Sequence, residues 1–331
     1  MNDGAKLLSK LNSILPLVGN SPLRHLDAGN IDLFVKIEYN NFSGSIKDRA
    51  AFNIFLQAIK NKQINEDTVV VESSSGNFAI AVASICSLLG LRFIAVVDPN
   101  INESYEETLK LMNIEVVKVT ETDRSGNYLL TRIEKVKEIC RREKKSFWTD
   151  QYGNPANNSG YDGLAREIAY ELDNLDFIFA AVSTGGTITG LSRRLKELFP
   201  NIKVIGVDIE GSAIFGCKPQ KRFISGIGAS IASPQLKDAQ IDEVIHVSHM
   251  DIIRGCHDLL GEHTLFGGAS TGAVYFAIKD YFQNRLFVRR PNVAFLCADR
   301  GDAYLQTVYN PSWEKMLKIK IDSLKTGQAT I

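Results

Sequence analysis

At 331 residues, with 38 basic and 38 acidic side chains and a formal net charge of zero, the chain has no charge surplus with which to recruit nucleic acid or an anionic membrane. Its 44% hydrophobic and 23% charged content is that of an ordinary globular protein with one large or two moderate domains, so small molecules are the expected partners. Residues 1–10 lack a hydrophobic signal core, no run is apolar enough to cross a bilayer, and Cys86, Cys140, Cys217, Cys256 and Cys297 form no Cys-x-x-Cys pair, so a reducing, cytoplasmic setting without disulfides is expected.

In chain order, near-continuous runs of Val, Ile, Phe and Ala predict strands over 33–38, 68–73, 93–98, 177–183, 204–209 and 293–299. Between them the apolar spacing predicts helices over 49–61, 77–89, 128–143, 187–199, 251–260 and 271–285. Such runs suit strands buried on both faces of a parallel sheet. Strand followed by helix, repeated, predicts an α/β fold with a twisted sheet. Residues 234–245 read as a surface connection, and the basic tail after Trp313 as solvated. No low-complexity linker marks a domain boundary.

Four loops at predicted helix starts carry the chemistry. Ser183-Thr184-Gly185-Gly186-Thr187-Ile188-Thr189-Gly190 follows a strand and opens a helix, where backbone N–H groups and the helix dipole attract a phosphate. A plain glycine turn is the competing explanation. The nucleotide patterns are missing: no Gly-Lys-Ser/Thr occurs, and Gly226-Ile227-Gly228 lacks the third glycine of a dinucleotide loop. In Asn41-Phe42-Ser43-Gly44-Ser45-Ile46-Lys47-Asp48-Arg49, Lys47 is either solvated or desolvated enough to act as a Schiff-base amine. Glu72-Ser73-Ser74-Ser75-Gly76-Asn77 offers donors for a carboxylate, or merely a helix cap from Ser75 or Asn77. Gly267-Gly268-Ala269-Ser270-Thr271-Gly272 is explained by capping through Ser270. The histidines match no common zinc spacing, and no metal is expected.

Taken together and in this order, the loops resemble the fold-type II pyridoxal 5'-phosphate (PLP) enzymes of the cysteine synthase and cystathionine β-synthase group, over nearly the whole chain. The resemblance implies a tryptophan synthase β-like fold. Its large, PLP-binding domain would comprise residues 1–48 and 150–331, and a smaller mobile domain residues 49–149. It further implies that Lys47 holds PLP and serves as base, and that Asn77 contacts its hydroxyl oxygen. Ser183, Thr184, Gly185, Gly186 and Thr187 would take the phosphate, and Ser270 would face the ring nitrogen. Ser74, Ser75, Gly76 and Asn77 would clamp the substrate carboxylate, with Gly226 lining the substrate. A homodimer is the assembly it implies.

Within that group, Asp98-Pro99, Gly126 to Ile133, Asp150-Gln151-Tyr152, Ser183, and Asp299-Arg300-Gly301-Asp302 with Tyr304-Leu305 look like the N-(2-amino-2-carboxyethyl)-L-glutamate synthases of siderophore 2,3-diaminopropionate pathways. Those enzymes join O-phospho-L-serine to L-glutamate through an α-aminoacrylate, and Arg132, Tyr152 and Ser183 are the residues that would adapt the site to these anions. Phe42, Ala79, Ala269 and Ala303 depart from the pattern, as does a one-residue shortening near Gly160-Tyr161. A sulfide-using cysteine synthase and a β-eliminating lyase are the alternatives.

Overall fold

The computed structural model describes residues 3–123 and 127–326, so Gly126 lies outside the described residues. Ten strands run through them: β1 (Leu23–Ala28), β2 (Ile31–Ile37), β3 (Val69–Glu72), β4 (Arg92–Val97), β5 (Glu115–Lys118), β6 (Ser146–Trp148), β7 (Phe177–Ala181), β8 (Lys203–Ile209), β9 (Glu243–Val247) and β10 (Asn292–Cys297). One sheet has the order β1-β2-β10-β7-β8-β9, parallel except for the β1–β2 hairpin. The other, β5-β4-β3-β6, is wholly parallel and is built only from residues 69–148.

Alternation along the strands sorts side chains between layers. Val70, Phe93, Ala95 and Val97 of the smaller sheet join Ile178, Ala180, Val204, Ala294 and Leu296 of the larger one in a single cluster. The helices Lys47–Lys60 and Asn77–Leu89 contribute Ala50, Phe55, Val82 and Cys86 to it. The opposite face of the larger sheet packs Val35, Phe179, Val207 and Phe295 on the helix Ala269–Phe282. The opposite face of the smaller sheet packs Val71, Ile94 and Val96 on Val136 and Ile139 of the helix Leu129–Arg142.

All six predicted strands and all six predicted helices are present, with no end shifted by more than three residues and the helix over 77–89 matched at both ends. Two expectations are corrected. Residues 234–245 are no plain connection, because a 3-10 turn (Pro234–Asp238) and the start of β9 occupy them. The tail is packed on one face and solvated on the rest: Pro311–Thr326 is a helix whose Trp313, Leu317 and Ile321, four apart, pack on the core, with Leu317 buried, while most of its other side chains are exposed. The lysines between them conceal that narrow apolar stripe in the sequence.

The parallel strands deliver their connections to one end of each sheet, where ligand sites of open α/β sheets lie. Residues 38–46 follow β2, residues 73–76 follow β3, residues 182–185 follow β7, and Asp299 follows β10.

Candidate active site

The loop bearing Lys47 is fixed by charges on both of its sides. Asp48 accepts from Ser43 N at 2.8 Å and from Ser43 Oγ at 2.6 Å, and burial pushes its carboxyl up to about 6 against the pull of those donors. Arg49 is buried in a double fork, with Nε to Glu38 at 2.6 Å, Nη2 to Glu38 at 2.8 Å, and both Nη atoms to Glu167 at 2.7 Å. Burial alone would raise the Glu167 carboxyl, but Arg49 holds it down at about 2. Lys36, fully buried, adds a bond to Glu167 at 3.1 Å. Asn41 reaches Glu38 Oε2 at 3.0 Å and accepts from Gly19 N at 2.7 Å, which closes the loop. Ile46 N donates to Ala298 O at 2.8 Å and ties the lysine to the end of β10.

Lys47 opens the helix Lys47–Lys60 and lines a cavity with Ser183, Thr184, Gly185, Thr187, Gly226 and Ser270. Residues 47, 183–185, 187, 226 and 270, far apart in the chain, thus share one wall, and of the predicted phosphate loop Gly186 alone is not in it. Gly185 has φ +84°, and a Cβ there would meet Leu236 at 2.7 Å; at Gly226, φ +90°, a Cβ would meet the Tyr304 hydroxyl at 2.8 Å. Glycine is therefore required at both turns. Gly186 heads the helix Gly186–Leu198 against Asn157.

The helices beginning at Lys47, Asn77, Gly186 and Ala269 have no side-chain cap, their cap positions being Ile46, Gly76, Gly185 and Gly268. Capping by Ser75, Asn77 or Ser270, the simple explanation of two loops, is thus not what these residues do. Asn102, Asn154 and Ser248, by contrast, cap other helices with their side chains. An uncapped N-terminus keeps its N–H groups and dipole for an anion.

Ser74, Ser75, Gly76, Asn77, Arg132 and Tyr152 stand outside that wall. Ser74 is buried, and the neighbouring Ser73 Oγ is buried with no hydrogen-bond partner among the described residues. Arg132 Nη1 donates to Ser75 Oγ at 3.2 Å and pairs with Asp98 at 3.0 Å, so its charge is already balanced. Half-buried Tyr152 has its hydroxyl pushed up by burial, with Arg132 and Arg222 pulling it down and Glu72 pushing it up. Ser183 Oγ donates to Gly228 O at 3.1 Å.

Several residues around the site carry no role in the sequence reading. Glu72, buried at the end of β3, takes Thr149 Oγ1 at 2.5 Å, Ser73 N at 2.7 Å and Gln151 N at 3.3 Å; burial pushes it up to about 7. Arg222, lowered by burial, has Nη2 on Ser230 Oγ at 3.1 Å and Nη1 buried with no partner among the described residues. Asp299, buried, accepts from Asn77 Nδ2 at 2.7 Å and from the Tyr304 hydroxyl at 3.1 Å. Asp299 is raised by burial and lowered again by Asn77, Tyr304 and the Lys47 charge. Its position at a strand end and its place in the Asp299-Arg300-Gly301-Asp302 run are the signals the sequence offers; Arg222 offers none.

The family model described as pyridoxal-phosphate dependent enzyme matches residues 14–299. A curated relative from Cupriavidus metallidurans, named N-(2-amino-2-carboxyethyl)-L-glutamate synthase, is 41% identical over 309 residues, 91% of this chain and 91% of the relative. One of the same name from Ralstonia nicotianae is 42% identical over 310 residues, 91% of this chain and 90% of the relative. Among solved structures, an O-acetylserine dependent cystathionine beta-synthase from Helicobacter pylori matches with a TM-score of 0.82 and 28% identity, covering 90% of this chain and 98% of that one.

Proposed function

The chain belongs to the family of pyridoxal-phosphate dependent enzymes, and from that premise we propose that it joins O-phospho-L-serine to L-glutamate. The glutamate nitrogen bonds to Cβ of the phosphoserine, the Cβ–O bond breaks, and phosphate leaves with N-(2-amino-2-carboxyethyl)-L-glutamate as product. Two relatives of that activity by name, 41% and 42% identical over nine-tenths of the chain, support the choice of substrates. The observation that carries the chemistry is the single wall shared by Lys47, the 183–187 loop and Ser270.

The residues present fit PLP. A primary amine, Lys47, stands in one cavity with a glycine–threonine loop at an uncapped helix N-terminus, which suits a phosphate dianion. Ser183, Thr184, Gly185, Gly186 and Thr187 would hold that phosphate, Asn77 the hydroxyl and Ser270 the ring nitrogen. When bound, PLP supplies an electron sink that acidifies Cα and lets the β-substituent depart. Lys47 Nζ is the base that moves the Cα proton. Ser270, neutral, imposes no charge on the ring nitrogen. The 74–77 loop, at an uncapped helix start, takes the substrate carboxylate. Arg132 steadies Ser75 there, while Tyr152, Ser183 and Gly226 frame the groups entering and leaving Cβ.

The same reading assigns residues 49–149 to a smaller mobile unit and residues 1–48 and 150–331 to the large domain. Closure of the small unit on the substrate would exclude water from the reacting carbon. It also gives a cytoplasmic homodimer supplying 2,3-diaminopropionate for siderophore assembly.

Incubating the holoenzyme with O-phosphoserine and glutamate, sulfide or no acceptor, and identifying products by mass, tests the function. The joined amino acid is expected with glutamate. Cysteine formed with sulfide but nothing with glutamate would install the cysteine synthase reading. Pyruvate and ammonia alone would make it a lyase. A Tyr152→Phe, Ser183→Gly double variant should release phosphate yet lose glutamate addition.

A further inference from the structure

Beside the Lys47 loop, a partly buried polar chain ties the two sheets together. Asn77 Nδ2 donates to Asp299 Oδ2 at 2.7 Å, the Tyr105 hydroxyl donates to Asn77 Oδ1 at 2.7 Å, and the Tyr304 hydroxyl donates to Asp299 Oδ2 at 3.1 Å. Asn77 and Tyr105 lie on helices of the smaller sheet, Asn77–Leu89 and Glu103–Leu111, whereas Asp299 and Tyr304 follow β10 of the larger one. The Asn102 amide, bonded to the Ala303 carbonyl, runs alongside.

We propose that Asp299 and Tyr105 are positioning residues: they lock the Asn77 carboxamide so that an N–H, and not its oxygen, faces the cofactor hydroxyl next to Lys47. The proposal rests on the roles assigned above to Lys47 and Asn77. A carboxamide has two N–H donors and one acceptor oxygen, and only its partners decide which end points where. Asp299 Oδ2 accepts from Asn77 Nδ2 and from the Tyr304 hydroxyl, so Asp299 fixes the nitrogen end. Tyr105, whose hydroxyl burial keeps protonated, donates to the oxygen end. One N–H is left over. Ser45 is bridged to Asp299 and Ile46 N donates to Ala298 O, so Asp299 and the amide it holds lie against the loop that carries Lys47. In PLP the hydroxyl sits on the ring carbon adjacent to the one whose aldehyde a lysine amine takes up, so a donor beside Lys47 meets that oxygen.

The Asp299 carboxylate is held at a cost the fold does not otherwise need. Its Oδ1 is buried with no partner among the described residues. A Cβ at Gly268 would lie 2.0 Å from it, so glycine there makes room for the carboxylate. A buried half-satisfied carboxylate is unfavourable unless its other oxygen serves a purpose. Orienting Asn77 supplies that purpose.

The test uses holoenzyme without substrate. Tyr105→Phe and Asp299→Asn should each weaken PLP binding about ten-fold in equilibrium dialysis. They should also shift the resting visible band and move the pH at which it titrates by about one unit. Asn77→Ala should do at least as much. If Asn77→Ala changes neither spectrum nor affinity, the role of Asn77 itself falls, and the lock with it. If Asn77→Ala has its effect while the other two match the parent in band, titration and PLP affinity, only the lock is wrong. A lowered melting temperature without a spectral change would likewise overturn it, as a merely structural network. Tyr105→Phe, which deletes one oxygen, decides the matter should Asp299→Asn fail to fold.

Discussion

The loop that carries Lys47 and the loop assigned to the substrate carboxylate are both serine- and glycine-bearing and both lead from a parallel strand into a helix, yet they are held in opposite ways. Around Lys47, Asp48 is bonded to Ser43 and Arg49 is forked onto Glu38 and Glu167. Across the site, Ser73 Oγ has no partner among the described residues, and Ser75 receives a single bond from Arg132. Buried ion pairs of this kind over-determine a backbone, and removing one partner leaves an uncompensated charge. The anchoring lysine therefore stands on rigid ground, while Ser73 and Ser75 of the opposite loop keep their hydroxyl protons for a ligand.

The largest effect should come from breaking the rigid side. Arg49→Met strands the buried Glu38 carboxylate and leaves half-buried Glu167 to Lys36 alone, and is expected to cost about 3–5 kcal/mol in denaturant unfolding. A loss under about 1 kcal/mol would remove the contrast between the loops.

The support beneath the substrate loop is conditional on pH. Glu72 is raised by burial from 4.5 to about 7. Its folded form therefore keeps a proton that the unfolded chain has lost, so this group's stabilisation is full below pH 4.5 and disappears as pH rises to about 7. The loss is about 3 kcal/mol across that window. In Glu72→Gln the component is gone, so melting temperatures at the two ends of the window should differ less than in the parent. Equal slopes for the two proteins would show that Glu72 ionises normally.

The smallest effect sharpens the comparison at the ligand. Arg132→Ala should keep the cofactor but lower kcat/KM for phosphoserine roughly ten- to a hundred-fold, about 1.5–3 kcal/mol. Because Arg132 is paired with Asp98, part of that loss is repulsion from the exposed carboxylate. Adding Asp98→Asn should restore some activity. No recovery would mean that Arg132 contacts the substrate directly.

What could be read from the chain, and what could not, divides by range. The loops of Lys47, of residues 183–187 and of Ser270 stand out because small residues before a helix are local signals, and the resemblance of the four loops taken in order assigns their roles. The partners that orient them are not local. Asn77 and Asp299 are 222 positions apart, and Glu72 and Thr149 are 77. Arg132 reads as a contact for the substrate anions because nothing nearby in sequence declares Asp98 as its partner. β9 escaped notice since its residues are mostly exposed or half-buried and resemble the polar stretch before them.

The central cluster shared by the two sheets has a mechanical consequence. Ala50, Phe55, Val82 and Phe93 are packed in one interior with Leu164, Ile178 and Leu191. A fragment spanning 49–149 made alone would turn that surface toward water, and we expect it to aggregate. Displacement of one half against the other must then slide side chains along a filled seam, a shear with small steps, because swinging the halves apart would open the interior.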